Sequence, residues 1–358
     1  MCGGHNNRKQ HNIMKDILGI DRQELCDWLS ENSFPSYRTD QILQWVYQHN
    51  IDKFSLMSNL PADLREFLSR HFSLRAASLQ QTCHSHDGTV KLLLAWPDET
   101  LTETVLISTG SRHTVCISSQ VGCPVRCVFC ASGLDGLTCS LEAGRMVEQV
   151  LWARKQLDAS ERISNVVIMG MGEPFANYDN TIKAVKIINA DWALDIGARH
   201  ITISTIGLPR QIRKLAHEPL QVTLAVSLHA PNDQLRSQLI PIAGQIKLEE
   251  LFQAIDYYYQ QTHREVTLEY VLLDGVNCLP VHADQIAGLV RQVRCNVNLI
   301  NYNRVAETDF KPAGNETAQA FKDRLIARGI NVHLRRSHGS QIDAACGQLR
   351  RRYSNKEK

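Results

Sequence analysis

From His113 onward the chain alternates runs rich in Val, Ile, Leu and Thr with helical segments, and this alternation constrains the fold more than any other feature. The period and composition predict strands over 114–118, 165–170, 200–205, 223–228, 267–273 and 297–302. Helices are expected between them, for example over 141–156, 179–188, 247–261 and 281–293. Repeated strand–helix units imply a parallel sheet, most simply a closed or partly open βα barrel. A late strand over 331–336 follows a helix near 318–328.

The segment before this alternation reads differently. Residues 22–30 and 39–49 carry apolar side chains at three- and four-residue spacing, as in Ile42, Trp45 and Val46. Asn59-Leu60-Pro61 starts a further helix, with the proline at an early position. The runs over 89–96 and 102–107 flank Pro97-Asp98-Glu99 and read as a β-hairpin. The expected organisation is a disordered N-terminal extension over 1–20, a small all-helical module over 21–80, a hairpin linker over 81–108, an α/β core over 109–346 and a basic tail over 347–358.

Composition excludes some classes and leaves others open. A hydrophobic fraction of 43% with 21% charged residues is that of an ordinary globular protein. No run of about eighteen apolar residues suggests a membrane span, and the first residues lack the apolar core of a signal peptide. A cytoplasmic protein is expected. A net charge of +2 neither announces nor forbids a nucleic-acid ligand, since local patches such as Arg335-Arg336 or Arg350-Arg351-Arg352 suffice to bind phosphate. Eleven cysteines, an odd number, argue for metal or redox roles over a disulfide framework. The isolated Cys26, Cys278 and Cys295 read as small buried hydrophobes.

Barrels of this kind gather their chemistry on loops after the strands. The first such loop is Cys123-Pro124-Val125-Arg126-Cys127-Val128-Phe129-Cys130. Three thiolates at this spacing can hold three irons of a 4Fe-4S cluster and leave the fourth open. The amino and carboxylate groups of S-adenosylmethionine can chelate an open iron, and one electron from the cluster can then break its sulfonium C–S bond. Phe129 would shield the cluster from water. The competing reading is a zinc site, which needs a fourth ligand, and no second Cys-x-x-Cys pair is present. After the second strand, Gly170-Met171-Gly172-Glu173-Pro174 offers close backbone approach and a carboxylate for the cofactor's ammonium group. Ser204, Ser227 and His229 stand at later strand ends, where each alone reads as a cap or a structural residue.

Together these residues carry a resemblance. The chain resembles the RlmN/Cfr family of radical S-adenosylmethionine (radical SAM) adenosine methyltransferases along nearly its whole length after Asp21. The matching segments are Tyr37 to Tyr47, Glu103-Thr104-Val105, Cys116 to Cys123, Met169 to Pro174, Ser227-Leu228-His229-Ala230 and Asp343 to Leu349. The resemblance implies a radical-SAM partial βα barrel with an N-terminal RNA-binding helical domain. It implies methylation of an adenosine of 23S ribosomal RNA, and of transfer RNA, at carbon 2. Methylation at carbon 8 and a non-RNA substrate are the alternatives. Cys346 would accept a methyl group from one S-adenosylmethionine, and a second molecule at the cluster would activate it. Cys116 would then release the product by forming a disulfide with Cys346. Glu103 would remove the proton from the base. Gly172, Glu173, Ser204, Ser227, Leu228, His229 and Asn303 would line the cofactor site. An electron donor such as flavodoxin or ferredoxin is implied, and no membrane. The chain departs from the family pattern at Ala131-Ser132-Gly133, Gly144-Arg145, Ser337-His338-Gly339 and in the run after Asn303, which bears on RNA contacts.

Overall fold

A computed structural model describes residues 14–335 and 349–350. The N-terminal module runs from β1 (Lys15–Asp16) through α1 (Arg22–Glu31), α2 (Arg38–Leu43) and α3 (Ala62–His71) to β2 (Phe72–Ser73). A capping box formed by Asp21 and Glu24 fixes the start of α1. The pairing of β1 with β2 ties the two ends of this helical module together, a short ladder that helical periodicity alone does not announce.

The core then follows as β3 (Ser78–His84), β4 (Val90–Ala95), β5 (Leu101–Thr109), β6 (Arg112–Cys116), β7 (Gln120–Gly122), β8 (Leu137–Ser140), α4 (Ala143–Arg154), β9 (Asn165–Ile168), α5 (Tyr178–Asn189), β10 (Ile201–Thr205) and α6 (Pro209–Leu215). It continues through β11 (Thr223–Ser227), α7 (Asp233–Leu239), α8 (Leu248–Thr262), β12 (Val266–Leu272), α9 (Pro280–Val290), β13 (Cys295–Asn301), α10 (Asn315–Ala327) and β14 (Val332–Arg335). Ten strands form one sheet in the order β14-β13-β12-β11-β10-β9-β6-β5-β4-β3. From β6 to β14 neighbours are parallel, as the strand–helix alternation requires. The expected hairpin is β4–β5, and it joins β3 to extend the sheet with antiparallel pairings. Among the described residues β14 and β3 remain edges, so the barrel is partial. No helix among them is long and apolar enough to cross a membrane.

Strand register divides the sheet into two unlike faces. Ser227 pairs with Glu269, Glu269 with Asn298, and Asn298 with His333, so these four stand side by side. Thr223, Thr202, Val167, Cys116, Val105 and Lys91 form a second row on the same face, with Glu103 two residues from Val105. The opposite face carries Leu92, Val115, Val166, Ile203, Leu224, Leu268 and Leu299, all buried in one core with residues of α4, α5, α8, α9 and α10. Parallel strands covered on both faces are usually apolar throughout. Here α4, α5, α8, α9 and α10 cover one face, and the other is largely polar among the described residues.

The helical module is held against α4. Glu148 accepts backbone N–H bonds from Ala76 and Ala77, each 3.0 Å. Arg154 donates to the carbonyls of Tyr47 and Gln48. Gly144 makes room for the half-buried Asp16: a β-carbon there would lie 2.0 Å from the Asp16 carboxylate and 2.9 Å from the Gly19 nitrogen. Arg145 pairs with Asp98 at 2.8 Å and lies over the Trp96 ring, so it secures the β4–β5 turn. Gly144→Ala is expected to destabilise the protein by roughly 1–3 kcal/mol through overpacking at this junction, read as a lower midpoint in chemical denaturation.

Candidate active site

The cysteine loop begins where β7 ends, and its path depends on glycine. Gly122 has φ +76°, and a β-carbon there would lie 2.0 Å from the Gly136 carbonyl oxygen. That same carbonyl accepts the Cys123 N–H at 2.9 Å. Cys130 N–H donates to the Cys127 carbonyl, closing a tight turn. Two distant elements pin the loop: Val128 N–H donates to Leu239 of α7 at 3.1 Å, and the Tyr302 hydroxyl donates to the Phe129 carbonyl at 3.1 Å.

Cys123, Cys127 and Cys130 line one cavity of about 210 Å³ together with Phe129, Gly172, Glu173, Ser204, Ser227 and His229. These are the loops at the C-terminal ends of β9, β10 and β11 and the segment after β7. Burial pushes the Cys123 thiol up to about 12, and burial with the neighbouring cysteines holds Cys127 well above its ordinary value. Such thiols ionise only when a metal compensates their charge. Among the described residues no group of three or more His, Cys, Asp or Glu could hold a single metal ion. Three thiols around one cavity suit a multi-metal group that takes three protein sulfurs.

The second loop crosses close to the first. Gly172 has φ +107°, and a β-carbon there would sit 2.8 Å from the Gln120 nitrogen. Gln120 Oε1 accepts the Glu173 N–H at 2.8 Å. The buried Glu173 carboxylate accepts N–H bonds from Phe175 at 2.9 Å and Ile206 at 2.8 Å. Burial raises it to about 7 against those hydrogen bonds, so a cation arriving in the cavity would find a carboxylate already oriented.

His229 adopts a left-handed backbone, φ +56°. Its Nδ1 accepts the Val271 N–H at 3.1 Å, which leaves the ring proton on Nε2 as a donor. Burial, reinforced by the nearby Arg236 charge, lowers its pKa to about 3. Two expected cofactor residues stand elsewhere. Leu228 follows the inward Ser227 and so turns the other way, into the apolar core. Asn303 lies past the end of β13 and is not among the residues lining the cavity.

Glu103 and Cys116 occupy the polar face on adjacent strands. Glu103 Oε2 accepts from the buried Lys91 ammonium at 3.0 Å, and Oε1 accepts the Arg350 N–H at 2.8 Å. Ser118 Oγ donates to the Glu103 carbonyl at 2.7 Å, and the Gln149 amide bridges Thr104 and Ser118. Cys116 is half-buried. Cys346 lies outside the described residues. Arg350, read from the sequence as part of a basic patch able to bind phosphate, is instead buried, with its guanidinium on Asp135 at 3.1 Å. No motif singles out Lys91, although one lysine inside the apolar run Val90–Ala95 is signal enough to mark it. The His229 ring is expected to stay neutral with the Nε2–H tautomer from pH 5 to pH 9, read from its nitrogen chemical shifts.

Comparison with known proteins agrees with this geometry. Residues 117–278 match the radical SAM superfamily, and residues 15–74 match the ribosomal RNA large subunit methyltransferase N-terminal domain. The chain is 44% identical over 337 residues to a probable dual-specificity RNA methyltransferase RlmN of Staphylococcus carnosus, covering 94% of this chain and 93% of that one. It is 42% identical over 341 residues to the protein of the same description from Clostridium novyi, covering 95% and 99%. The crystal structure of a radical SAM methyltransferase from Sphaerobacter thermophilus superposes with a TM-score of 0.91 at 42% identity, covering 93% of this chain and 98% of that one.

Proposed function

The chain belongs to the RlmN family of radical SAM dual-specificity RNA methyltransferases, and on that premise we propose that it methylates carbon 2 of an adenine in large-subunit ribosomal RNA and in transfer RNA. The observation that carries this reading is the shared cavity, in which three thiols, a buried carboxylate, two serines and a neutral histidine open at the strand ends of a sheet whose inner face bears Glu103 and Cys116.

In this reading Cys123, Cys127 and Cys130 hold a 4Fe-4S cluster, and Gly172, Glu173, Ser204, Ser227 and His229 receive S-adenosylmethionine. When bound, the pair supplies homolytic chemistry, which suits an adenine carbon too electron-poor to attack a sulfonium methyl group. The protein's own residues do the rest. The Glu173 carboxylate takes the ammonium group, and the His229 Nε2–H offers a donor to the cofactor. Phe129, Val125 and Tyr302 belong to an apolar cluster around the cysteines and exclude water. Cys346 carries the incoming methyl carbon as a thioether. Glu103, held in place by Lys91 and the Arg350 N–H, would remove the carbon-2 proton, and the adduct's unpaired electron would return to the redox group that supplied it, as the ring regains aromaticity. The Cys116 thiolate would then attack the Cys346 sulfur, forming an S–S bond as the S–C bond to the product breaks, with the electron pair passing to that carbon, which takes up a proton to become the methyl group.

RNA would be gripped largely through Lys and Arg contacts to phosphates, and the adenine must leave its stack to reach a recessed cavity. Reducing equivalents would come from a small carrier such as flavodoxin or ferredoxin. Anaerobic turnover with methyl-labelled cofactor and RNA is expected to place label first on Cys346 and then on 2-methyladenine, located by mass spectrometry. Label on carbon 8 overturns the position, and label on neither Cys346 nor RNA overturns the reaction. Glu103→Gln is expected to lower product formation about 10²–10⁴-fold while Cys346 still becomes methylated.

A further inference from the structure

Arg236 on α7 is fully buried and is the largest side chain so enclosed. Its Nη2 donates to the Ile206 carbonyl at 2.5 Å and its Nη1 to the Ile246 carbonyl at 3.5 Å. Its Nε has no hydrogen-bond partner among the described residues. Nor does any carboxylate among them pair with it: the nearby Asp233 instead accepts the Leu248 N–H at 2.8 Å. Burial lowers its pKa only to about 10, so it carries its charge at neutral pH. An enclosed cation with no direct ion pair costs several kcal/mol, which the nearby Asp233 charge offsets only in part. Such a group persists where an anion belongs beside it.

The neighbours say which anion. The carbonyl of Leu239, at the end of the same helix, accepts the N–H of Val128 between Cys127 and Cys130. Leu239 and Ile240 pack with Val125 and Phe129 in the apolar cluster that contains the cysteine loop. Asp233 is the first of the charges that favour the Arg236 cation, and Cys127, once ionised, is the second. Ile206 links the two buried charges directly, since its N–H donates to Glu173 and its carbonyl accepts from Arg236.

We infer that Arg236 is the built-in counter-charge of the metal cluster, a positioning residue that makes the loaded cluster easier to reduce. This rests on the reading that Cys123, Cys127 and Cys130 hold that cluster. A cluster bound by three thiolates is anionic and gains a further negative charge on reduction. A fixed cation in a low-dielectric shell therefore stabilises the reduced form more than the oxidised one. Its hydrogen bond to Ile206 also fixes the peptide that orients Glu173.

The test is a potentiometric titration of the reconstituted holoprotein under argon, followed by the electron paramagnetic resonance signal of the reduced cluster, with iron content measured for each variant. Arg236→Gln is expected to lower the reduced-to-oxidised ratio at a fixed potential at least ten-fold, about 59 mV for one electron. Arg236→Lys keeps the charge and is expected to stay within about two-fold of the wild-type ratio. An unchanged ratio in a fully loaded Arg236→Gln protein overturns the inference. So does a ten-fold fall in Arg236→Lys, which would assign the effect to hydrogen-bond geometry. If Arg236→Gln fails to load, the Arg236→Lys result decides. Failure of the wild-type protein to take up a reducible cluster, or unaltered uptake by Cys127→Ala, would instead sink the reading on which the inference stands.

Discussion

The molecule depends on one asymmetry: among the described residues, the parallel strands pack α4, α5, α8, α9 and α10 against one face and turn mostly polar side chains to the other. Burial of Val166, Ile203, Leu224, Leu268 and Leu299 against the helices supplies the hydrophobic stabilisation that fixes strand order and register. Once register is fixed, the period of two decides everything on the other face. A one-residue slip of β12 would send Glu269 into the apolar core and Leu268 onto the polar side. Ser227, Glu269, Asn298, Cys116 and Glu103 thus share a face as a consequence of how the opposite side packs.

The strand ends inherit this order. Each loop that borders the cavity is tied to another by hydrogen bonds among buried groups: Gln120 to Glu173, Glu173 to Ile206, Leu239 to Val128, and Tyr302 to Phe129. Elements distant in sequence therefore converge on one volume. The helical module is part of the same construction, because Glu148 and Gly144 of α4 receive it on the same helix whose Gln149 braces Ser118 and Thr104.

Much of this is legible in the sequence where the signal is local. The parallel strands carry enough Val, Ile and Thr to be placed within a few residues, and the cysteine spacing isolates its loop. The seven-residue α6 and α7 are not legible, since two turns show too little period to distinguish from a loop. Leu228 shows a different limit of motif matching. Motif matching puts it with Ser227 and His229, but alternation turns its side chain to the core. Period two is present in Ile201-Thr202-Ile203-Ser204 and Val266-Thr267-Leu268-Glu269, where the polar member of each pair marks the inward position. Arg236 leaves no such mark. An arginine on a short helix reads as solvated, and only the tertiary packing of α7 against the cysteine loop encloses it.

Charge burial follows the same logic at both ends of the site. Lys91 and Glu103 are each removed from water, and neither would be tolerable alone. Paired at 3.0 Å, with the second Glu103 oxygen on the Arg350 N–H, they form a satisfied unit. Such a unit holds a carboxylate in one rotamer facing the polar side of the sheet. Glu173 and Arg236 are different. They bear opposite charges, yet a peptide stands between them and neither makes an ion pair among the described residues. A carboxylate and a guanidinium kept apart in one apolar shell each retain the capacity to bind an opposite charge. Glu173 lines the cavity, where it can meet a cationic amine, whereas Arg236 is enclosed outside that lining and reaches it through the Ile206 peptide and α7.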